Sequence, residues 1–244
     1  GYIAGAVIAS VIGILSYFDV PGLATLSPMG RAQGTYKDPN VLSTYIILPA
    51  LFLIQDVMLR SSGSKMLRAA ALLTILACLF LSFSRGAWLN FVFSTVMMIG
   101  LTFMLTPSAR LRSRIVMLTV IGIGIATVLV MYLLTIEEVR TLFYDRLTLV
   151  KSYDTGETGR FGRQLNALGD IFVWPLGFGP MEFRNIYGQD PHNVFLNAFA
   201  SYGWLGGISY MLLILSTIIV GFKGVLIRTP WQGQTIALFC AFFA

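Results

Sequence analysis

A chain of 244 residues that is 56% hydrophobic and only 11% charged has too little polar surface to cover a water-soluble core of its size. Its net charge of +6 sits in short loops between apolar runs, where it marks membrane orientation and excludes nucleic acid as a partner. The fold class predicted is all-α, a polytopic transmembrane helix bundle.

In chain order, apolar segments at 1–18, 41–59, 66–84, 86–105, 115–135 and 193–222 are predicted as six spans, with a seventh beginning at 234–244. Loop 60–68 carries Arg60, Lys65 and Arg68, loop 106–114 carries Arg110, Arg112 and Arg114, and Lys223 and Arg228 follow the sixth span. These eight basic residues have only Asp56 beside them, so their loops read as cytoplasmic under the positive-inside rule. Loops 19–40 and 136–192 then fall outside; with the turn at Arg85 they hold the remaining nine basic and ten acidic residues and the one histidine. Segments 66–84 and 86–105 fit only as two spans with a turn at Ser84-Arg85-Gly86. A single helix of about 40 residues would be roughly 60 Å long, twice a bilayer core.

Within the outer loop, 136–150 has helical spacing among charges and is expected to lie along the membrane surface. Segment 151–159 is polar and turn-rich, and 161–174 is a second predicted helix, stopped by Pro175, Gly177, Gly179 and Pro180. Segment 193–222 is longer than a span needs, and Gly203, Gly206 and Gly207 mark its first part as a separate, tilted or interfacial piece. The chain opens and closes inside apolar runs, so 1–244 reads as one transmembrane domain, part of a longer protein, with its loop at about 136–192.

Cys78 and Cys240 lie inside apolar runs and read as buried small hydrophobes. They offer neither a disulfide framework nor a metal site. Arg85 falls at the level of the outer headgroups, where its planar fork suits a phosphate; snorkelling to the interface is the plain alternative. Arg31 and Lys37 precede Asp38-Pro39-Asn40, in which Asn40 is expected to cap the second span. Arg160 and Arg163, three apart, share a helix face and either hold an anion or pair with Glu157 or Asp170. His192 is the one side chain that titrates near neutral pH unperturbed, and it sits where the loop re-enters the membrane. One histidine without outer cysteines makes no zinc site. Gly177-Phe178-Gly179 lacks the strand and helix of a nucleotide loop.

Four groups of residues together carry a likeness to a known family. They are Arg31-Ala-Gln-Gly-Thr-Tyr-Lys-Asp-Pro-Asn40, Ser82-Phe-Ser-Arg-Gly-Ala-Trp88, Thr158-Gly-Arg160 with Trp174-Pro-Leu-Gly-Phe-Gly179, and His192-Asn193 followed by Gly203-Trp-Leu-Gly206. In order and spacing the chain resembles the O-antigen ligase and O-antigen polymerase family of bacterial envelope membrane proteins. The resemblance implies a fold like that of the GT-C-type lipid-linked sugar transferases, in the bacterial inner membrane. It implies glycosyl transfer at the periplasmic face from an undecaprenyl-pyrophosphate-linked glycan donor to a lipid A core or a growing glycan. It also implies that no metal or other cofactor takes part. By motif, Arg85 and Arg160, with Arg163 and Arg31 near them, would hold the pyrophosphate, and His192 would act on the acceptor hydroxyl. The chain departs from the family in having six or seven spans where about ten to twelve are usual.

A ligase and a polymerase share donor and site, so these residues do not separate them. A transporter or flippase of lipid-linked glycans would place ionisable groups near mid-membrane. Here the spans are nearly free of charge, which favours chemistry at one face.

Overall fold

The computed structural model describes residues 1–28, 30–59, 64–147, 160–191 and 193–243. Among them every regular element is helical: α1 (Tyr2–Tyr17), α2 (Pro39–Leu59), α3 (Lys65–Leu81), α4 (Arg85–Leu105), α5 (Ala109–Leu133), α6 (Glu137–Leu147), α7 (Arg160–Val173), α8 (Glu182–Tyr187), α9 (Val194–Leu226) and α10 (Gln232–Ala241). A 3₁₀ turn, Ala24–Leu26, interrupts the first loop. Four helices, α2, α4, α5 and α9, are long and apolar enough to cross a membrane. With 16 residues, α1 is a shorter apolar helix, and α3 has 17 residues. The break expected at Ser84-Arg85-Gly86 is present: α3 ends at Leu81 and α4 begins at Arg85.

The residues divide into two compact units, 1–147 with 223–244, and 148–222. The division after 147 falls within the predicted outer loop, and the one after 222 falls inside α9.

In the first unit, α1, α2 and α3 pack through small residues. A Cβ built on Gly13 would lie 3.1 Å from both the Cys78 sulfur and a Leu42 methyl, so glycine there sets how closely the three helices approach. Around that point Ala6, Leu42, Ile46, Ile75 and Cys78 are completely buried. The loop after the 3₁₀ turn is unusual in being buried itself at residues 31–34. Gly34, at φ +58, brings its backbone so close to Gly13 that a Cβ would sit 3.2 Å from the Gly13 nitrogen. Buried irregular backbone needs hydrogen-bond partners, and the Ala32 amide finds one in the carbonyl of Leu81 (3.0 Å).

Pro49 lies inside α2 and cannot donate to the carbonyl four residues back, that of Tyr45. The Tyr2 hydroxyl donates to that carbonyl instead (2.9 Å), so α1 repairs the gap that proline leaves in α2. At the N-terminus of α2 the expected cap moves by two residues. Asp38 accepts from the Asn40 amide (2.6 Å) and Pro39 takes the first helical position, where its missing N–H costs nothing. Asp38, not Asn40, is therefore the cap.

The far end of this unit is closed by the predicted basic loop. Arg112 donates from Nε to the Thr106 carbonyl (2.8 Å) beyond α4, and Arg114 from Nη2 to the Val57 carbonyl (3.1 Å) near the end of α2. Cations at helix C-termini are favoured by the macrodipole. Helix α6 lies at the opposite end, where Phe143 packs on Phe80 and Trp88 beside the α3–α4 turn. The loops that charge parity sends to one face thus gather at one end of this unit.

In the second unit, Ala167 and Ile171 of α7, Phe183 of α8, and Leu196 and Ala200 of α9 form a separate small core. Helix α9 breaks at Gly203, whose φ of 66° and ψ of −164° are not helical, as the glycines of that segment foretold.

Candidate functional site

The motif segments singled out in the sequence pair off, and each pair meets within one unit. In the first, residues 31–40 close on the turn between α3 and α4. Arg31 is buried, 8% exposed. It donates from Nε to the Ser82 carbonyl (2.7 Å) and from Nη2 to Asn40 Oδ1 (3.2 Å). A buried guanidinium is tolerable only with such partners. Arg31 thereby fastens its loop to the turn that ends at Arg85.

That turn is tightly held. The Ser82 hydroxyl (2.7 Å) and the Trp88 indole N–H (3.0 Å) both donate to the Leu79 carbonyl, so two side chains satisfy a carbonyl in the last turn of α3. Phe83 has φ +47° in the position after a helix end that glycine normally takes. A bulky residue is strained there, and its ring is 1% exposed among Tyr17, Phe80 and Trp88. Ser84 caps α4 by accepting from the Ala87 amide. Arg85 follows as the first residue of α4, half-buried. An arginine in the first turn opposes the helix dipole. A helix N-terminus and an arginine side chain are each of the kind that binds phosphate groups.

In the second unit, residues 174–179 meet the break in α9. Phe178 donates its amide to the Ala200 carbonyl (2.6 Å), and Trp204 donates its amide to the Pro175 carbonyl (2.9 Å). The Trp204 indole reaches the Ile171 carbonyl at 2.9 Å. Backbone passes backbone so closely that a Cβ on Gly203 would stand 2.2 Å from the Pro175 oxygen, and one on Gly177 2.5 Å from the Gly203 nitrogen. The two glycines are required by this contact, which gives Gly177-Phe178-Gly179 a structural role in place of a nucleotide-binding one.

Arg163 faces the loop before α9 and lines a small cleft with Gln164, Phe183, Gln189, Asp190 and Pro191. Gln164 donates to the Pro191 carbonyl (2.7 Å), which ties the residue preceding His192 to α7. His192 itself and the Arg160 side chain lie outside the described residues. Asp170, one of the partners considered for the arginine pair, accepts from the Tyr187 hydroxyl instead. Burial, and then this hydrogen bond, hold the Tyr187 phenol well above its ordinary value, so it stays a donor at any physiological pH. Among the described residues no three His, Cys, Asp or Glu side chains gather as metal ligands would.

Sequence reasoning singled out the arginines but missed Gln164 and the partners of Arg31. A glutamine inside an amphipathic helix carries no local signal, and a bond between residues 51 apart in sequence is invisible to spacing. The chain matches no family model, no curated protein and no solved structure.

Proposed function

We propose that this chain is part of a multi-pass inner-membrane glycosyltransferase of the GT-C-like kind. It transfers an O-antigen-type glycan from undecaprenyl pyrophosphate to an acceptor hydroxyl at the periplasmic face, as an O-antigen ligase does. Arg85 and Arg160 hold the pyrophosphate, with Arg163 and Arg31 adding positive charge, and His192 takes the proton of the acceptor hydroxyl. The leaving group is an anion already bound by fixed cations, so no charge has to move into place during the reaction.

The observation that supports this most is the junction of residues 31–40 with the turn 82–88. Arg31 is fastened to the Ser82 carbonyl, and Arg85 opens α4. The fork of an arginine at a helix N-terminus matches a pyrophosphate in charge and geometry.

The test combines a deletion strain with point variants. Loss of long surface chains, with polymer accumulating on the carrier lipid, is the outcome expected for a ligase. A core bearing one repeat unit indicates the polymerase of the same family, and unchanged surface glycan refutes both. Arg85→Lys and Arg160→Lys keep the charge but lose the fork, so transfer falls strongly at normal expression. His192→Gln loses roughly 10²–10⁴ in rate, the usual contribution of a positioned acid–base group, and with it the acid limb of the pH–rate profile. Near-wild-type transfer in all three variants rules this assignment out.

A further inference from the structure

Helix α7 has three faces, and one of them lacks an occupant among the described residues of its own unit. Ala167 and Ile171 are buried against Phe183, Leu196 and Ala200. Arg163, Asn166 and Asp170 form a polar face. Leu165, Leu168 and Phe172, at i, i+3 and i+7, line up as a third, apolar stripe, and they are 68%, 48% and 73% exposed. Trp174 and Leu176 extend the apolar surface past the helix end, the latter 90% exposed.

What lies beside this stripe follows from its tethers. Gln164 bonds to Pro191, the Ile171 carbonyl to the Trp204 indole, and the Pro175 carbonyl to the Trp204 amide. The contacts advance along both segments in the same order, so α7 runs alongside the first part of α9 and ends level with Gly203. Beyond Gly203, α9 is uncharged through Phe222 and continues to Leu226, about 23 residues or roughly 34 Å of helix, enough to cross a bilayer. Trp174, Tyr202 and Trp204 cluster around the break, and such aromatic residues concentrate at the membrane–water boundary.

We propose that α7 lies in the membrane interface, its Leu165–Leu168–Phe172 stripe set into the acyl-chain edge of the lipid at the level where α9 enters the bilayer. An exposed apolar stripe opposite a polar face that carries Arg163 is the pattern of interfacial amphipathic helices, and beyond the break Leu205, Ile208 and Leu212 of α9 are exposed as well. The proposal needs α9 to be a membrane span and does not depend on glycosyl transfer.

The full chain, reconstituted in mixed phosphatidylethanolamine–phosphatidylglycerol vesicles, is spin-labelled at single cysteines replacing Leu165, Leu168, Phe172, Asn166 or Asp170. Cys78 and Cys240 are completely buried, so the labelling uses the otherwise native chain. Collision with dissolved oxygen, relative to a water-soluble nickel chelate, is expected to be several-fold higher at the first three sites than at the last two. A high chelate rate at Leu165, Leu168 and Phe172 means that water covers the stripe, and low rates with both reagents mean that protein covers it. Either result overturns the proposal. Should a label disturb folding, quenching of tryptophan fluorescence by brominated lipids is compared between the native chain and Trp174→Phe. A smaller quenched fraction in the variant supports the proposal, and equal quenching overturns it.

Discussion

Phe83 occupies a left-handed conformation at a helix end and is almost fully buried, so two opposed effects meet in one side chain. Phe83→Gly loses the ring but relieves the backbone, whereas Phe83→Ala loses the ring and keeps the strain. The glycine variant is therefore expected to be the more stable of the two by about 1 kcal/mol, as read from thermal unfolding in detergent. The opposite order would show that the turn is not strained. Arg31 allows a similar separation of roles. Its bonds to the Ser82 carbonyl and Asn40 make it a fastener of the loop, whatever anion it also touches. Arg31→Lys keeps the charge without the Nε geometry, and stability is expected to fall by about 1.5–3 kcal/mol, the range for hydrogen bonds to charged groups. Unchanged unfolding, with transfer lost, would assign Arg31 to the substrate alone. In the sequence Arg31 was legible as a candidate cation, because type and location are local properties. Its burial was not, because it depends on a carbonyl 51 residues away.

Helices were more legible than their ends. Long uncharged runs announce α2, α4, α5 and α9, and the Ser84-Arg85 break follows from length alone. The cap of α2 was expected at Asn40 and is Asp38, because both side chains cap well and only the position of Pro39 decides between them. The glycines of α9 signalled its break, but not that residues 175–178 occupy the gap. That contact is between backbones and leaves no side-chain pattern. It can be tested at Gly203, where a Cβ would fall 2.2 Å from the Pro175 oxygen at φ +66°. Gly203→Ala is expected to cost on the order of 1–3 kcal/mol from the backbone conformation alone, with more from the clash. Limited proteolysis should then cut faster between Trp174 and Gly179. Unaltered cleavage would mean that the segment is held by other contacts.

For the molecule as a whole, the distribution of Lys and Arg makes a statement about compartments. Lys65 and Gln189 are exposed and fall in loops predicted to face opposite sides of the membrane. With Cys78 and Cys240 buried, cysteine introduced at Gln189 is expected to react with an impermeant maleimide in outer-membrane-permeabilised cells. Cysteine at Lys65 should react only after the inner membrane is opened. The reverse pattern would invert every side assignment. Charge is what predicts this topology, while the packing of the units was not legible, because apolar residues such as those of α5 look alike whether they face lipid or protein.

The fastening of Arg31 to Ser82 also has a consequence in time. A ribosome adds about 5–20 residues per second, so the 51 residues between the two partners take roughly 3–10 s to emerge. During that interval α1 has already been made, yet the segment that closes over Gly13 has no carbonyl to accept its guanidinium. The loop that carries Arg31 therefore waits, its guanidinium without the Ser82 carbonyl, until the α3–α4 hairpin arrives. The order of synthesis thus bears on when this loop closes, and the α3–α4 turn is the step that seats Arg31.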